Sequence, residues 1–519
     1  MRRFRFSSLL LLRSKPPRLL AATPPPPWFQ SPRRFLFSSM AADNSYPNPN
    51  PNLWSIPFQS TNTSIFSSNN NYLQQYAHFS SQRNQYDKVE IISEENIKPA
   101  SPTPDHLRTY EVSLLDQLLA HFYFSFVYFF PNNHNQNDSD LLLTLKRRRQ
   151  LLKKSLSETL TRFYPLAGKV KNSREIDCND EGVYYVEAKV KDQLSNFLKH
   201  PDNKSIHGFL PVDPNSMESL FSKTHVIMIQ VTEFDCGGIA IGLYTSHKIM
   251  DGYSHTTFLK AWAAATASNG EEIICPRFIS PSIFPPNPSL PENMTLMLLP
   301  TFLKQTKSPT RRFVFSPSSI KELKEKTGAS SRVMAVTGLI WKCAMAANKS
   351  SPPIPDYVIG NIFWSSVPIR YTSGSDDDDL EISSIVRRLK SATELINSDL
   401  IEEMKGEEWS LKVEEKLKEL KKFYSDENAD YMAVTNTCNG GMYEVDFGWG
   451  KRIWASVGYT DAHLPAVGNL LMLMDTKYGN GVEAWVTLSE QEMNILQNDP
   501  ELLAFASFNP SPLPPLEIN

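Results

Sequence analysis

Long apolar runs are what this 519-residue sequence most plainly lacks. The stretch Leu9–Leu12 is cut short by Arg13, and nothing later approaches the ~20 consecutive apolar residues that a membrane-spanning helix needs, so no membrane partner is expected. Cysteine is scarce too. Cys178, Cys236, Cys275, Cys343 and Cys438 are odd in number, scattered, and contain no CxxC pair, which argues against a disulfide framework and for a reducing compartment. A formal net charge of -3 supplies no basic excess for holding nucleic acid. The chain also has no P-loop, no GxGxxG fingerprint and no GxSxG elbow. Nucleotide cradles of those kinds and a covalent acyl-serine route are therefore not expected.

Acidic residues are missing from positions 1–42, where Arg2, Arg3, Arg5, Arg13, Arg18, Arg33 and Arg34 stand among serine and leucine. This is the composition of a mitochondrial or plastid transit peptide, with a basic, proline-rich tail as the alternative reading. Residues 43–87 carry Asn-Pro steps and Ser/Asn tracts with few aliphatics to build a core, and are expected to be a disordered linker.

The chain is long enough for two further domains. Apolar and β-branched patterning predicts strands at Val89–Ile92, Phe122–Phe130, Gly182–Val190 and Val226–Thr232, with Asn132–Asp140 as a polar loop. A helix is predicted from Leu145 to Phe163, ended by Pro165 and Gly168. Its basic cluster, Arg147 to Arg149 with Lys153 and Lys154, is expected to be a solvated face rather than a phosphate site. Pro276–Pro300 lacks periodicity and marks a crossover. Beyond it, the patterning gives helices at Ile320–Lys326, ending near Gly328, over Val336–Ala347 and within Ile382–Tyr424, and strands at Trp454–Val457, Leu470–Met474 and Val482–Leu488; Asp376–Asp379 is expected to be a surface loop. These elements make a two-domain α/β protein: 88–287, a crossover at 288–302, and 303–519.

The most informative stretch is Val231–Ala265. Phe234 to Gly238 is a turn cluster between two β-rich runs, so a hairpin is predicted whose second strand, Ile239–Ser246, delivers His247. After Asp251 and Gly252 the apolar spacing becomes helical at Phe258, Ala261, Trp262 and Ala265. An imidazole at such a strand-to-helix junction is a candidate general base near neutral pH. His247, Asp251 and His255 also fall at i, i+4 and i+8, which would converge on a metal only if the whole stretch were helical; no metal is expected. Cys438 before Asn439 is a candidate nucleophile, against a buried, inert thiol.

His247-Lys248-Ile249-Met250-Asp251-Gly252 resembles the HxxxD motif of the BAHD acyltransferases, and Asp446-Phe447-Gly448-Trp449-Gly450 resembles that family's second motif, in the family's order. Ser113–Gln117, Phe163–Gly168, Ile176–Gly182 and Ile340–Cys343 are similar as well, and Lys88–Pro131 looks most like the vinorine synthase group. The resemblance implies a chloramphenicol acetyltransferase-like fold, two similar mixed-sheet domains with a channel between them. It further implies acyl transfer from an acyl-CoA, acetyl-CoA in particular, to the hydroxyl of a plant specialised metabolite such as an alkaloid. No permanently bound cofactor is implied, and the enzyme would be a cytoplasmic monomer.

In the resemblance His247 is the catalytic base, and Asp446 is a second catalytic acid or the holder of its own loop. Asp251, Gly252, Phe447, Gly448, Trp449 and Gly450 shape the motifs, Asp251 by pairing with an arginine. The strand that normally carries this arginine is missing between Ala347 and Pro352, and Arg370 is no assured substitute. A relative that keeps the fold without catalysis, as a ligand- or partner-binding protein, is thus the rival reading.

Overall fold

The expected hairpin is present. Ile227–Phe234 and Ile239–Ser246 pair antiparallel, with Glu233 opposite Ile239 and Ile227 opposite Thr245. Gly237, at φ 77°, closes the turn through its N–H to the Phe234 carbonyl at 2.8 Å. A positive φ there is a conformation that glycine adopts without steric cost.

These observations come from a computed structural model, which describes residues 89–119, 123–132, 138–201, 205–211, 225–267, 274–288, 290, 303–304, 308–347, 358–361, 364–367, 381–394, 432–458, 466–467 and 469–513. The leader and linker, the acidic run 376–379, Arg370, residues 348–357 and most of the crossover lie outside them.

Two mixed sheets carry the architecture. The first has six strands in the order Val89–Ile97, Val183–Val190, Ile227–Phe234, Ile239–Ser246, Tyr123–Phe130 and Trp454–Val457. The second has five, Ala433–Asn436, Leu470–Asp475, Val482–Thr487, Thr310–Phe315 and Ala506–Phe508. Each contains one parallel pair, Val183–Val190 with Ile227–Phe234 and Ala433–Asn436 with Leu470–Asp475, among antiparallel neighbours. Helices pack on both sheets, which gives the expected α/β class.

Tyr123–Phe130 is buried on both faces, which explains why its sequence is a run of aromatics without alternation. Phe124, Phe126 and Tyr128 meet the helix Gly252–Ala267 at His255. The opposite face carries Phe129, which packs on Phe197 and Phe209. The helix Gly252–Ala267 is clasped in turn by Asp138–Arg162, where Ser155 and Thr266 hydroxyls lie 2.7 Å apart and the Trp262 indole donates to the Leu152 carbonyl at 3.1 Å. That outer helix begins at Asp138, inside the stretch expected to be a loop.

In the second half Pro317–Thr327 starts on a Ser316 cap and stops at Gly328, which takes φ 67° as the expected end of the helix requires. Two short helices, Glu490–Leu496 and Pro500–Phe505, and the strand Ala506–Phe508 follow the last expected strand; their apolar runs are too short for a periodicity to declare itself.

The decisive crossing is made by Trp454–Val457. This strand was expected, but its partner lies more than three hundred residues back: Trp454 stands opposite Phe129 and Val457 opposite Phe126. The Trp454 ring stacks on Phe129 at 5.5 Å and on Trp485 of the second sheet at 6.2 Å. The guanidinium of Arg312, paired with Glu483 at 3.2 Å, lies 5.1 Å from the Trp454 ring centre. One indole therefore links the two sheets. Trp454→Ala should lower folding stability by about 3–5 kcal/mol, read as a reduced denaturant midpoint; a midpoint within error of wild type would show that this contact does not hold the halves.

Candidate active site

The strand Ile239–Ser246 is wholly buried and runs out at His247, which is half-buried in the turn that follows. Asp251 then begins the next helix as its N-cap, its carboxylate Oδ1 accepting the Ser254 N–H at 2.7 Å. The local pattern, an aspartate just before a helical repeat, is what places His247 at the junction. Phe124 meets the imidazole edge-on, with ring centres 5.0 Å apart. Burial lowers the His247 pKa, opposed in part by the Asp251 carboxylate. At neutral pH the ring is consequently neutral and able to accept a proton.

His255 does not join it. The side chain points into the core, where its Nε2 lies 2.7 Å from the Tyr128 hydroxyl and its Nδ1 3.0 Å from that of Thr245. Both ring nitrogens are engaged by protein groups, and with His247 on a strand end and His255 on a helix the spacing required for metal convergence is lost.

Lys248 was not foreseen as a site residue, and it fixes the loop. Its buried ammonium donates to the carbonyls of Asp116, Gln117 and Leu119 at 3.0, 3.4 and 2.9 Å. These carbonyls end the short helix Leu114–Gln117, where a cation is favoured. Ser113 and Asp116 close the other end of that helix as a capping box. Burial pushes the Lys248 pKa down to about 8, with Asp116 opposing, and pushes the Asp116 carboxyl up to about 6 against its Ser113 hydrogen bonds and the Lys248 charge. The S-x-x-D spacing at Ser113 was readable as a helix start; its use as the dock for the residue after His247 was not.

The second motif is built around its own aspartate. Asp446 Oδ1 accepts the N–H groups of Gly448 and Gly450 at 2.8 and 3.0 Å. Phe447 fills a slot between Phe130 and Trp262 at 5.3 and 5.0 Å. A Cβ on Gly448 would come within 3.1 Å of the Ala267 Cα, and the residue sits at φ 96°, so side chain and backbone both demand glycine. Ala267 ends the helix that Gly252 begins, so at about 1.5 Å per residue the loop contacts that helix roughly 20 Å from the end where His247 lies.

The basic cluster corrects the expectation of a solvated face. Arg147 and Lys154 are exposed, but Arg148 is buried. It stacks 5.1 Å from the Trp449 ring centre while donating to the Gly237 carbonyl and to Asn132, each at 3.2 Å. Arg149 pairs with Glu233 at 3.2 Å, and Lys153 with Glu95 and Glu187 at 2.6 and 2.9 Å. The cluster stitches helix, hairpin turn and Trp449 together. Cys438 is half-buried, and burial raises its thiol well above the ordinary range, which leaves it protonated and a poor nucleophile.

The Transferase family description matches residues 87–371 and 348–503 of this chain. A limonoid 7-O-acetyltransferase of Citrus sinensis is 37% identical over 465 residues, covering 82% of this chain and 99% of its own. The chain is a BAHD acyltransferase. Vinorine synthase of Rauvolfia serpentina is 32% identical over 438 residues, covering 79% of this acyltransferase and 96% of its own length. Its crystal structure aligns at TM-score 0.63 and 30% identity, over 81% of this chain and 99% of that one. A structure of an F. sporotrichioides protein complexed with coenzyme A and T-2 aligns at TM-score 0.55 and 16% identity, over 77% and 99%. At that identity the likeness speaks for the fold alone, that of coenzyme A-dependent acyltransferases. No described helix is long and apolar enough to cross a membrane.

Asp116 makes the site's pH dependence testable. Its folded pKa of about 6 exceeds the ordinary 3.8, so the folded state holds this proton more tightly than the unfolded one. Its contribution to stability is complete below the lower value and is lost as pH rises through the higher. Asp116→Asn should flatten this part of the stability profile in urea titrations across that range. An unchanged slope would reject the assignment.

Proposed function

We propose that this acyltransferase moves an acetyl group from acetyl-CoA to a hydroxyl of a rigid polycyclic plant metabolite, with His247 as the general base. The observation that carries the reading is the placing of the His247 imidazole at the strand-to-helix junction, walled by Phe124 in a loop fixed by Lys248 and Asp251. His247 takes the acceptor's proton as the hydroxyl oxygen attacks the thioester carbonyl carbon. The carbon–sulfur bond of the tetrahedral intermediate then breaks, and the departing thiolate takes the proton back from the imidazolium. Every proton is accounted for by one side chain and two substrates, and a single copy of the chain acts alone. Asp446 serves activity through the loop that it shapes with Gly448 and Gly450, while Phe447 and Trp449 anchor that loop to the core.

For the acceptor, relatives favour a limonoid-type alcohol first and an alkaloid alcohol second. The Citrus relative and an epi-neemfruitin B 7-O-acetyltransferase of Melia azedarach are each 37% identical, whereas stemmadenine O-acetyltransferase of Catharanthus roseus is 34% identical. The working compartment is the cytoplasm unless residues 1–42 act as an address. A fluorescent fusion of residues 1–86 entering mitochondria or plastids would establish the address, and diffuse fluorescence would leave the enzyme cytoplasmic.

The test is mass-spectrometric detection of acetylated product from a panel of limonoid and alkaloid alcohols with acetyl-CoA. His247→Ala should lower the rate by about 10²–10⁴ with an unchanged melting temperature. Near wild-type turnover in that variant would remove His247 as the base. Absence of product from the whole panel with the intact protein would overturn the reading of the acceptor as a limonoid or alkaloid alcohol.

A further inference from the structure

The helix turn that starts at Asp251 presents a second histidine, and the acyl-transfer chemistry makes no use of it. His255 is fully buried, yet it is not idle. Burial, and secondarily the positive charge of Arg452, push its pKa down to about 3, so the ring stays neutral, with one nitrogen a donor and the other an acceptor. The two hydroxyls it engages belong to different strands. Tyr128 lies on Tyr123–Phe130, and Thr245 lies on Ile239–Ser246, two residues before His247. The Arg452 guanidinium covers the Tyr128 ring at 4.2 Å from its centre, which holds the phenol in place from its other side.

Phe124 supplies the second link. Its ring sits between the two imidazoles, 5.0 Å from that of His247 and 5.4 Å from that of His255, with interplanar angles of 66° and 62°. A side chain on the first turn of the helix Gly252–Ala267 thus touches three things that determine where His247 lies: the strand that delivers it, the neighbouring strand, and the ring that walls it. The helix turn itself is capped by Asp251, so the two ends of the His247 loop are tied to each other through His255.

We propose that His255 is a positioning residue for acyl transfer, fixing His247 through its hydrogen bond to Thr245 and its ring contact with Phe124. The proposal rests on His247 being the base. A histidine that served packing alone could be replaced, together with the Thr245 hydroxyl, by apolar groups of similar shape without harm to catalysis, since removing both members of a buried hydrogen bond is close to neutral for stability.

That difference sets the experiment. His255→Leu should lower kcat by about 10–100-fold, the scale of a small misplacement of a reacting group, while KM for acetyl-CoA stays near wild type. The double variant Thr245→Val, His255→Leu removes that hydrogen-bonded pair together and leaves the Tyr128 hydroxyl beside the buried Arg452 guanidinium, and should recover the denaturation midpoint without recovering kcat. Recovery of both would overturn the proposal. His255→Gln, which can keep one hydrogen bond, should regain part of kcat; equal losses in Gln and Leu variants would also count against it.

A substrate-free arm separates this inference from the proposed function. Histidine-selective NMR titration of the full chain reads the His247 ring directly, with Asp251 as the charged group acting on it among the described residues. In the His255→Leu and His255→Gln variants the His247 midpoint should rise toward the ordinary imidazole value as the ring loses its walled position. An unchanged His247 titration in both would overturn the proposal, even if no acceptor in the panel were acetylated by the wild type.

Discussion

The aromatic face of Tyr123–Phe130 has to be kept dry, and the helix Gly252–Ala267 is what covers it. Phe124, Phe126, Tyr128 and Phe130 bury large apolar areas, and ring pairs of the kind they make add about 0.5–1.5 kcal/mol each beyond area burial. The helix meets that surface at His255, and both family motifs are fastened toward its ends. Asp251 caps the N-terminal end beside His247; Phe447 and Gly448 close on Trp262 and Ala267 toward the other. His247 is therefore located by the packing of this strand and helix, and the second motif touches the same helix toward its far end.

Three buried cations of this interior are held by nearby partners. An isolated buried ion costs several kcal/mol, and the structure meets this with three different devices. Lys248 spreads its ammonium over three carbonyl oxygens. Arg148 pairs a stacked indole with a carbonyl and an amide oxygen. Arg312 has a carboxylate on one side and two indoles on the other. Each device joins elements distant in sequence, so the charges also specify which surfaces meet.

What was legible in the sequence follows from the range of the forces involved. The hairpin at Phe234–Gly238, the strand Trp454–Val457 and the helix end at Gly328 were readable because turn chemistry and short-range patterning are local. The motif residues were readable through resemblance. Strand partners were not: nothing near Trp454 announces that it pairs with Phe129, because pairing is decided by burial across the whole sheet. Arg148 carried no mark distinguishing it from its exposed neighbour Arg147. His255 was visible only as a possible metal ligand, since a buried imidazole between two hydroxyls needs the two strands before it has partners. Asp251 showed a cap signal that its family role overshadowed.

The central claim is that packing holds His247 neutral and ready to accept a proton. Its most direct measurement is the pH dependence of kcat/KM for acetyl transfer, which reports the base of the free enzyme. Because burial disfavours the protonated ring, the acid limb should have its midpoint below the ordinary imidazole value of about 6.5, with the rate level above it. A midpoint at or above that value would contradict the account.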